Sequence, residues 1–156
     1  MSFATEQANT SSVLSQCHTG RNPDSEKGWA VVKAADCENA KLILDTWHWV
    51  RANQPIELSV LEGIPADKIV SIQINDVWER PYATTILRDE SMHDRLAPGT
   101  GIGTTVPFVK MIKEKGIRPN AIGVEVISDA NLEKGIEYAA NIHMRTQRRY
   151  WRGLAG

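Results

Sequence analysis

Three polar residues stand inside runs that otherwise read as β-strands: Asp45, Gln73 and Glu125. Asp45 lies in Lys41-Leu42-Ile43-Leu44-Asp45-Thr46-Trp47, and Gln73 in Ile69-Val70-Ser71-Ile72-Gln73-Ile74-Asn75. Glu125 lies in Ala121-Ile122-Gly123-Val124-Glu125-Val126-Ile127. A carboxylate buried without a partner is costly, so something must compensate each of them. In parallel α/β sheets ligands bind at the carboxyl ends of the strands, and Asp45 and Glu125 lie near those ends. Period-two alternation turns Gln73 the same way as Asn75. Three oxygen donors converging there suit a hard divalent cation such as Mg²⁺ or Mn²⁺. His48, three residues after Asp45, would add a ligand or a contact to substrate. Each residue alone also has a structural explanation: Asp45 as a cap, Gln73 bonded to backbone, Glu125 paired with an arginine. Their recurrence on three successive strands favours a site.

The elements that must position these residues alternate. All three runs are short and rich in apolar residues, and read as strands buried on both faces. Ser25 is placed to cap a helix carrying Trp29, Val32 and Ala35 on one face. Residues 55–63 read as a short helix after a proline. Thr104 to Pro107 opens another, with Phe108, Val109 and Ile112 as its apolar stripe and Gly116 at its end. Ser128 or Asp129 caps the last, whose stripe is Leu132, Ile136, Ala139, Ala140 and His143. The order α-β-α-β-α-β-α predicts an α/β fold with a parallel sheet of about three strands. Residues 77–103, with Pro81, Pro98, Gly99, Gly101 and Gly103, read as one long loop of the kind that forms lids or binding loops. Residues 1–24 read as a poorly ordered polar tail, residues 25–144 as the folded unit, and 145–156, with four arginines, as a basic tail.

Composition narrows the function classes. A net charge of −1 over 156 residues supplies no field for nucleic acid or anionic lipid. No run approaches the roughly 20 apolar residues of a membrane span. Cys17 and Cys37 make neither a disulfide framework nor a zinc pattern, and together with the lack of a secretory signal they predict reduced thiols in a cytoplasmic protein.

The motifs resemble one family. Leu44-Asp45-Thr46-Trp47-His48 resembles the Asp-Thr-x-His motif of the xylose-isomerase-like sugar isomerases and epimerases. Ser71-Ile72-Gln73-Ile74-Asn75-Asp76 is similar to the strand that carries the third metal ligand, where many members have His and hydroxypyruvate-isomerase-like and inosose-dehydratase-like members have Gln. Arg95-Leu96-Ala97-Pro98-Gly99-Thr100-Gly101 resembles the Pro-Gly-x-Gly loop, and Val124-Glu125-Val126 the last strand. The resemblance covers about residues 25–142.

It implies a partial (β/α)₈ TIM barrel holding strands six to eight, since a whole barrel needs roughly 250 residues. It also implies a divalent metal, Mn²⁺ or Mg²⁺, on Asp45, Gln73 and Glu125. The substrate would be a small-molecule sugar or sugar phosphate, interconverted through an enediolate. Glu125 and His48 would be catalytic, with His48 also holding a substrate oxygen. Arg80 or Arg95 would hold a distal hydroxyl or phosphate, and Trp78 would close over the substrate. One departure stands out: the family's strand-five Glu has no counterpart in Cys17 to Asp24, and strands one to four are absent. A partial barrel leaves two sheet edges open. This gives a second expectation, a non-catalytic fragment that binds or forms a homo-oligomer through those edges. A zinc nuclease of the same superfold, the endonuclease-IV type, would need a richer set than His18, His48, His93 and His143.

Overall fold

The computed structural model describes residues 12–14, 25–52, 61–80, 86–103 and 105–154. Four strands, β1 (Ser12–Leu14), β2 (Lys41–Asp45), β3 (Ile69–Ile74) and β4 (Ala121–Val124), form one sheet in the order β1-β2-β3-β4. Every neighbouring pair is parallel. The helices are α1 (Ser25–Ala35), α2 (Thr46–Ala52), α3 (Leu87–His93), α4 (Thr105–Glu114), α5 (Asp129–Glu133) and α6 (Ile136–Leu154). The sheet is open: among the described strands β1 and β4 each have one neighbour.

The strands form where β-branched and apolar residues alternate with others. Leu42, Leu44, Ile72, Ile74 and Ile122 point to one face and are buried. There they meet Val32 of α1, Trp49 and Val50 of α2, and Phe108, Met111 and Ile112 of α4. Burial of each large aliphatic side chain contributes about 1.5–3 kcal/mol. The opposite parity, with Ile43, Ser71, Gln73 and Gly123, is only partly covered. This corrects the expectation of strands buried on both faces: among the described residues the helix layer lies on one side of the open sheet, and the other side is only partly covered.

Several boundaries also differ. Ser12–Leu14, inside the segment expected as an unstructured tail, is an edge strand in register with Lys41–Ile43. The rest of that segment, Cys17 included, lies outside the described residues, as does most of the 55–63 helix. The strand at 41–47 stops at Asp45. Its Oδ1 accepts the backbone N–H groups of Trp47 at 2.7 Å and His48 at 3.3 Å, satisfying the free donors that open α2. The expected loop 77–103 contains α3, too short for an apolar period and held instead by its buried Glu90 and Ser91. Gly135, at φ +95°, breaks the last expected helix into α5 and α6. The basic residues 145–152 continue α6 as helix rather than tail.

Candidate active site at the carboxyl ends of the strands

Asp45 and Gln73 face each other in the β2–β3 register, and Gln73 faces Gly123 across β3–β4. Glu125, two residues past Gly123, therefore projects from the same face one step nearer the mouth. The structure brings the two carboxyl groups together around one guanidinium nitrogen. Arg95 Nη1 donates to Asp45 Oδ2 at 2.9 Å and to Glu125 Oε2 at 2.7 Å.

Arg95 is held on every side. It is 2% exposed. Its Nε donates to the Ser91 carbonyl and its Nη2 to Ser91 Oγ, each at 2.8 Å. The guanidinium carbon stands 5.3 Å from the centre of the Trp47 ring. Its backbone is fixed too: Arg95 N–H donates to Ile127 O, while Leu96 and Asp76 exchange both backbone bonds as an antiparallel bridge. The segment after Asp94 thus crosses the mouth between the ends of β3 and β4. Asp76 Oδ2 gathers the N–H groups of Gly99, Gly101 and Gly103 at 3.1–3.2 Å and pins that crossing. Only glycine fits at 101, where a Cβ would lie 2.1 Å from the Val77 carbonyl oxygen.

Asn75 links the three strand ends. Its Nδ2 donates to Asp45 Oδ1 at 3.0 Å and to the Glu125 carbonyl at 3.3 Å. Its N–H donates to Thr46 Oγ1 at 2.8 Å, and its carbonyl accepts from Thr105 Oγ1 at 2.9 Å.

The charges are set by this packing. Burial and the adjacent Asp45 push Glu125 up to about 7, against the opposing pull of Arg95. Burial alone would raise Asp45 as well. Its hydrogen bond with Glu125, the Arg95 and His48 charges and the Asn75 amide override that and hold it below the usual carboxylate range. At neutral pH one carboxyl group is ionised and its neighbour is poised to take or give a proton.

His48 lies on α2, buried, with its ring edge-on to Trp47 at 4.9 Å. Arg80 and Trp78 are farther out and exposed. Both bind Asp94: Arg80 Nη1 donates to Oδ2 at 2.7 Å and Trp78 Nε1 to Oδ1 at 2.8 Å. Arg95 thus lies at the centre of the site, while Arg80 and Trp78 form a separate cluster at its rim. The sequence reading missed Asn75's bridging amide, Ser91, and the buried Arg51–Glu90 pair beneath Trp47. Ser91 and Arg95 stand only four residues apart, a spacing the sequence does show, whereas the Asn75 and Arg51–Glu90 contacts join segments far apart in the chain.

The donors suit a hard cation in kind: two carboxylates and one amide oxygen. Gln73 Oε1 is buried and accepts no hydrogen bond among the described residues. Asp45 and Glu125, however, already share Arg95. No group of three or more His, Cys, Asp or Glu that could hold a metal ion occurs among the described residues.

A family model described as xylose isomerase-like TIM barrel matches residues 12–147. Three solved structures superpose well. One is the IOLI protein, solved with a binding zinc atom: TM-score 0.61, 21% identity, 80% of this chain and 44% of that one. A xylose isomerase domain protein from Alicyclobacillus acidocaldarius gives 0.59 at 24% identity, covering 82% and 43%. A xylose isomerase domain containing protein from Salmonella typhimurium LT2 gives 0.59 at 20% identity, covering 83% and 44%. At these identities the likeness speaks for the fold, and the chain spans less than half the length of each. Among curated proteins none matches.

Proposed function

Because the chain belongs to the xylose isomerase-like TIM barrel family, we propose that it is a sugar isomerase or epimerase that moves a proton beside the carbonyl of a hydroxy-ketone sugar or sugar phosphate. The observation that carries this reading is Glu125, raised to about 7 at the strand ends beside an ionised Asp45 and a buried Arg95. A general base works best when it titrates near the working pH. Glu125 takes the proton from the carbon next to the carbonyl and returns one elsewhere, through a cis-enediolate. Arg95 faces the developing oxyanion with a cation already in place. Asp45 stays charged and fixes Arg95. His48 holds a substrate oxygen, and Trp78 and Arg80 meet the distal end of the sugar. Asp45, Gln73 and Glu125 are the residues that would hold a divalent ion, Mn²⁺ or Mg²⁺, which when bound would supply Lewis acidity to the carbonyl and its neighbouring hydroxyl. We assign the protein to the cytoplasm and expect neither nucleic acid nor membrane as partner. No described helix is long and apolar enough to cross a membrane.

Deuterium exchange tests this. The chain is incubated with a panel of ketoses and ketose phosphates in D₂O with Mn²⁺, and uptake at the carbon beside the carbonyl is followed by proton NMR. Exchange that disappears in Glu125→Gln supports the reading. A folded chain that exchanges no member of the panel sinks it.

A second reading is a non-catalytic barrel module that binds or forms a homo-oligomer through its open edges. It is favoured by the single pairing of β4 among the described strands and by the exposed apolar side chains of the helices that follow it in the chain, Leu132 at 60% and Ile136 at 80%.

A further inference from the structure

We propose that the Arg95 guanidinium is the built-in counter-cation of this site and competes with a divalent ion for Asp45 and Glu125, so that ion occupancy is an exchange between the two. This rests on the ion-binding reading above.

The geometry carries the argument. One nitrogen, Nη1, bonds both carboxylates, at 2.9 and 2.7 Å. A hard divalent ion bonded to the same two oxygens would sit about 2.1 Å from each. Given the 2.9 Å Arg95 bond, it could then be no more than about 5 Å from Nη1. It either overlaps the guanidinium or lies beside it as a second positive charge in a buried site, where charges are poorly screened. The guanidinium does not leave freely. Two bonds to Ser91 and the Trp47 ring hold it, and its backbone is clamped to Ile127. A flexible surface arginine would yield to an ion at little cost; this one is built in. Gln73 Oε1 stands apart from the contest, buried and unbonded among the described residues, and offers the ion a donor that Arg95 does not use.

The chemistry separates this from an ordinary supporting role. Partners that merely orient ligand carboxylates tighten ion binding, and losing one weakens it by about 10–100-fold. A competitor has the opposite sign.

The experiment is calorimetric Mn²⁺ titration of the 156-residue chain at fixed pH, with near-ultraviolet circular dichroism on the same samples. The proteins are the parent, Arg95→Gln, Arg95→Lys and Ser91→Ala. The expected result is at least about tenfold tighter Mn²⁺ binding by Arg95→Gln, a single decade of affinity. Arg95→Lys, which keeps a charge without the fork, and Ser91→Ala, which loosens the guanidinium, fall between it and the parent. Should Arg95→Gln lose its fold, the other two carry the same sign. Equal or weaker binding by folded variants overturns the competition and leaves the ion site standing. Absence of binding in parent and variants alike overturns the competition and the ion reading together.

Discussion

Arg51 and Glu90, 39 residues apart in the chain, are locked in a two-pronged ion pair: Arg51 Nε and Nη2 each donate to a different Glu90 oxygen at 2.8 Å. Both side chains are almost fully buried. Glu90 Oε1 also accepts the Trp47 indole N–H at 2.9 Å, so the pair supports the ring that Arg95 packs against. Through α3 it holds Ser91, and through Ser91 it holds Arg95.

Breaking that pair from one side strands a buried charge. Glu90→Ala is expected to lower unfolding free energy by about 3–5 kcal/mol, read from urea denaturation. A loss below about 1 kcal/mol, typical of an exposed pair, would mean water reaches Arg51.

The two carboxyl groups give opposite pH dependences. Glu125 titrates at about 7, raised from 4.5, so its proton stabilises the fold. That contribution is fully present below 4.5 and is lost as pH rises through about 7. Asp45 is lowered from 3.8, so its contribution is present above 3.8 and lost as pH falls below it. Carbon-13 NMR of the Glu125 carboxyl should show a midpoint near 7, which moves upward in Arg95→Gln because a favourable charge is gone. A midpoint near 4.5 in the parent would refute the base assignment.

The loop that carries Arg95 depends on Asp76 and Gly101. Asp76→Ala leaves three N–H groups without their shared acceptor and is expected to cost about 1–3 kcal/mol. Gly101→Ala drives a methyl group into the Val77 carbonyl and is expected to cost a similar amount, about 1–3 kcal/mol. Thermal melts check both. Wild-type stability in Gly101→Ala would mean the loop shifts freely, and Arg95 with it.

The open-edge reading predicts concentration-dependent self-association in sedimentation velocity. Ile136→Lys, at a position already 80% exposed, should leave the fold intact and shift the population toward monomer. An unchanged distribution would remove α6 from any interface.

Sequence alone determined the parallel α/β order and the residues at the strand ends. Strand runs are local signals, and the period of two turns Gln73 and Asn75 to one face of their strand, while the register that sets Asp45 opposite Gln73 came from the sheet. The family resemblance rested on those same motifs and was confirmed over residues 12–147. Tertiary structure decided the rest. Arg95 reads in the sequence as one arginine among several near a glycine-rich loop. It becomes the centre of the site because Asp76, Leu96 and Ile127 stitch its segment across the mouth. Glu90 likewise gains its role from Arg51 and Trp47, partners that no local pattern names. The exposure of Leu132 and Ile136 was also beyond the sequence, since a helical stripe predicts which residues share a face but not whether anything packs against it. Local periodicity fixes direction along an element; long-range hydrogen bonds and the open sheet fix what that direction meets.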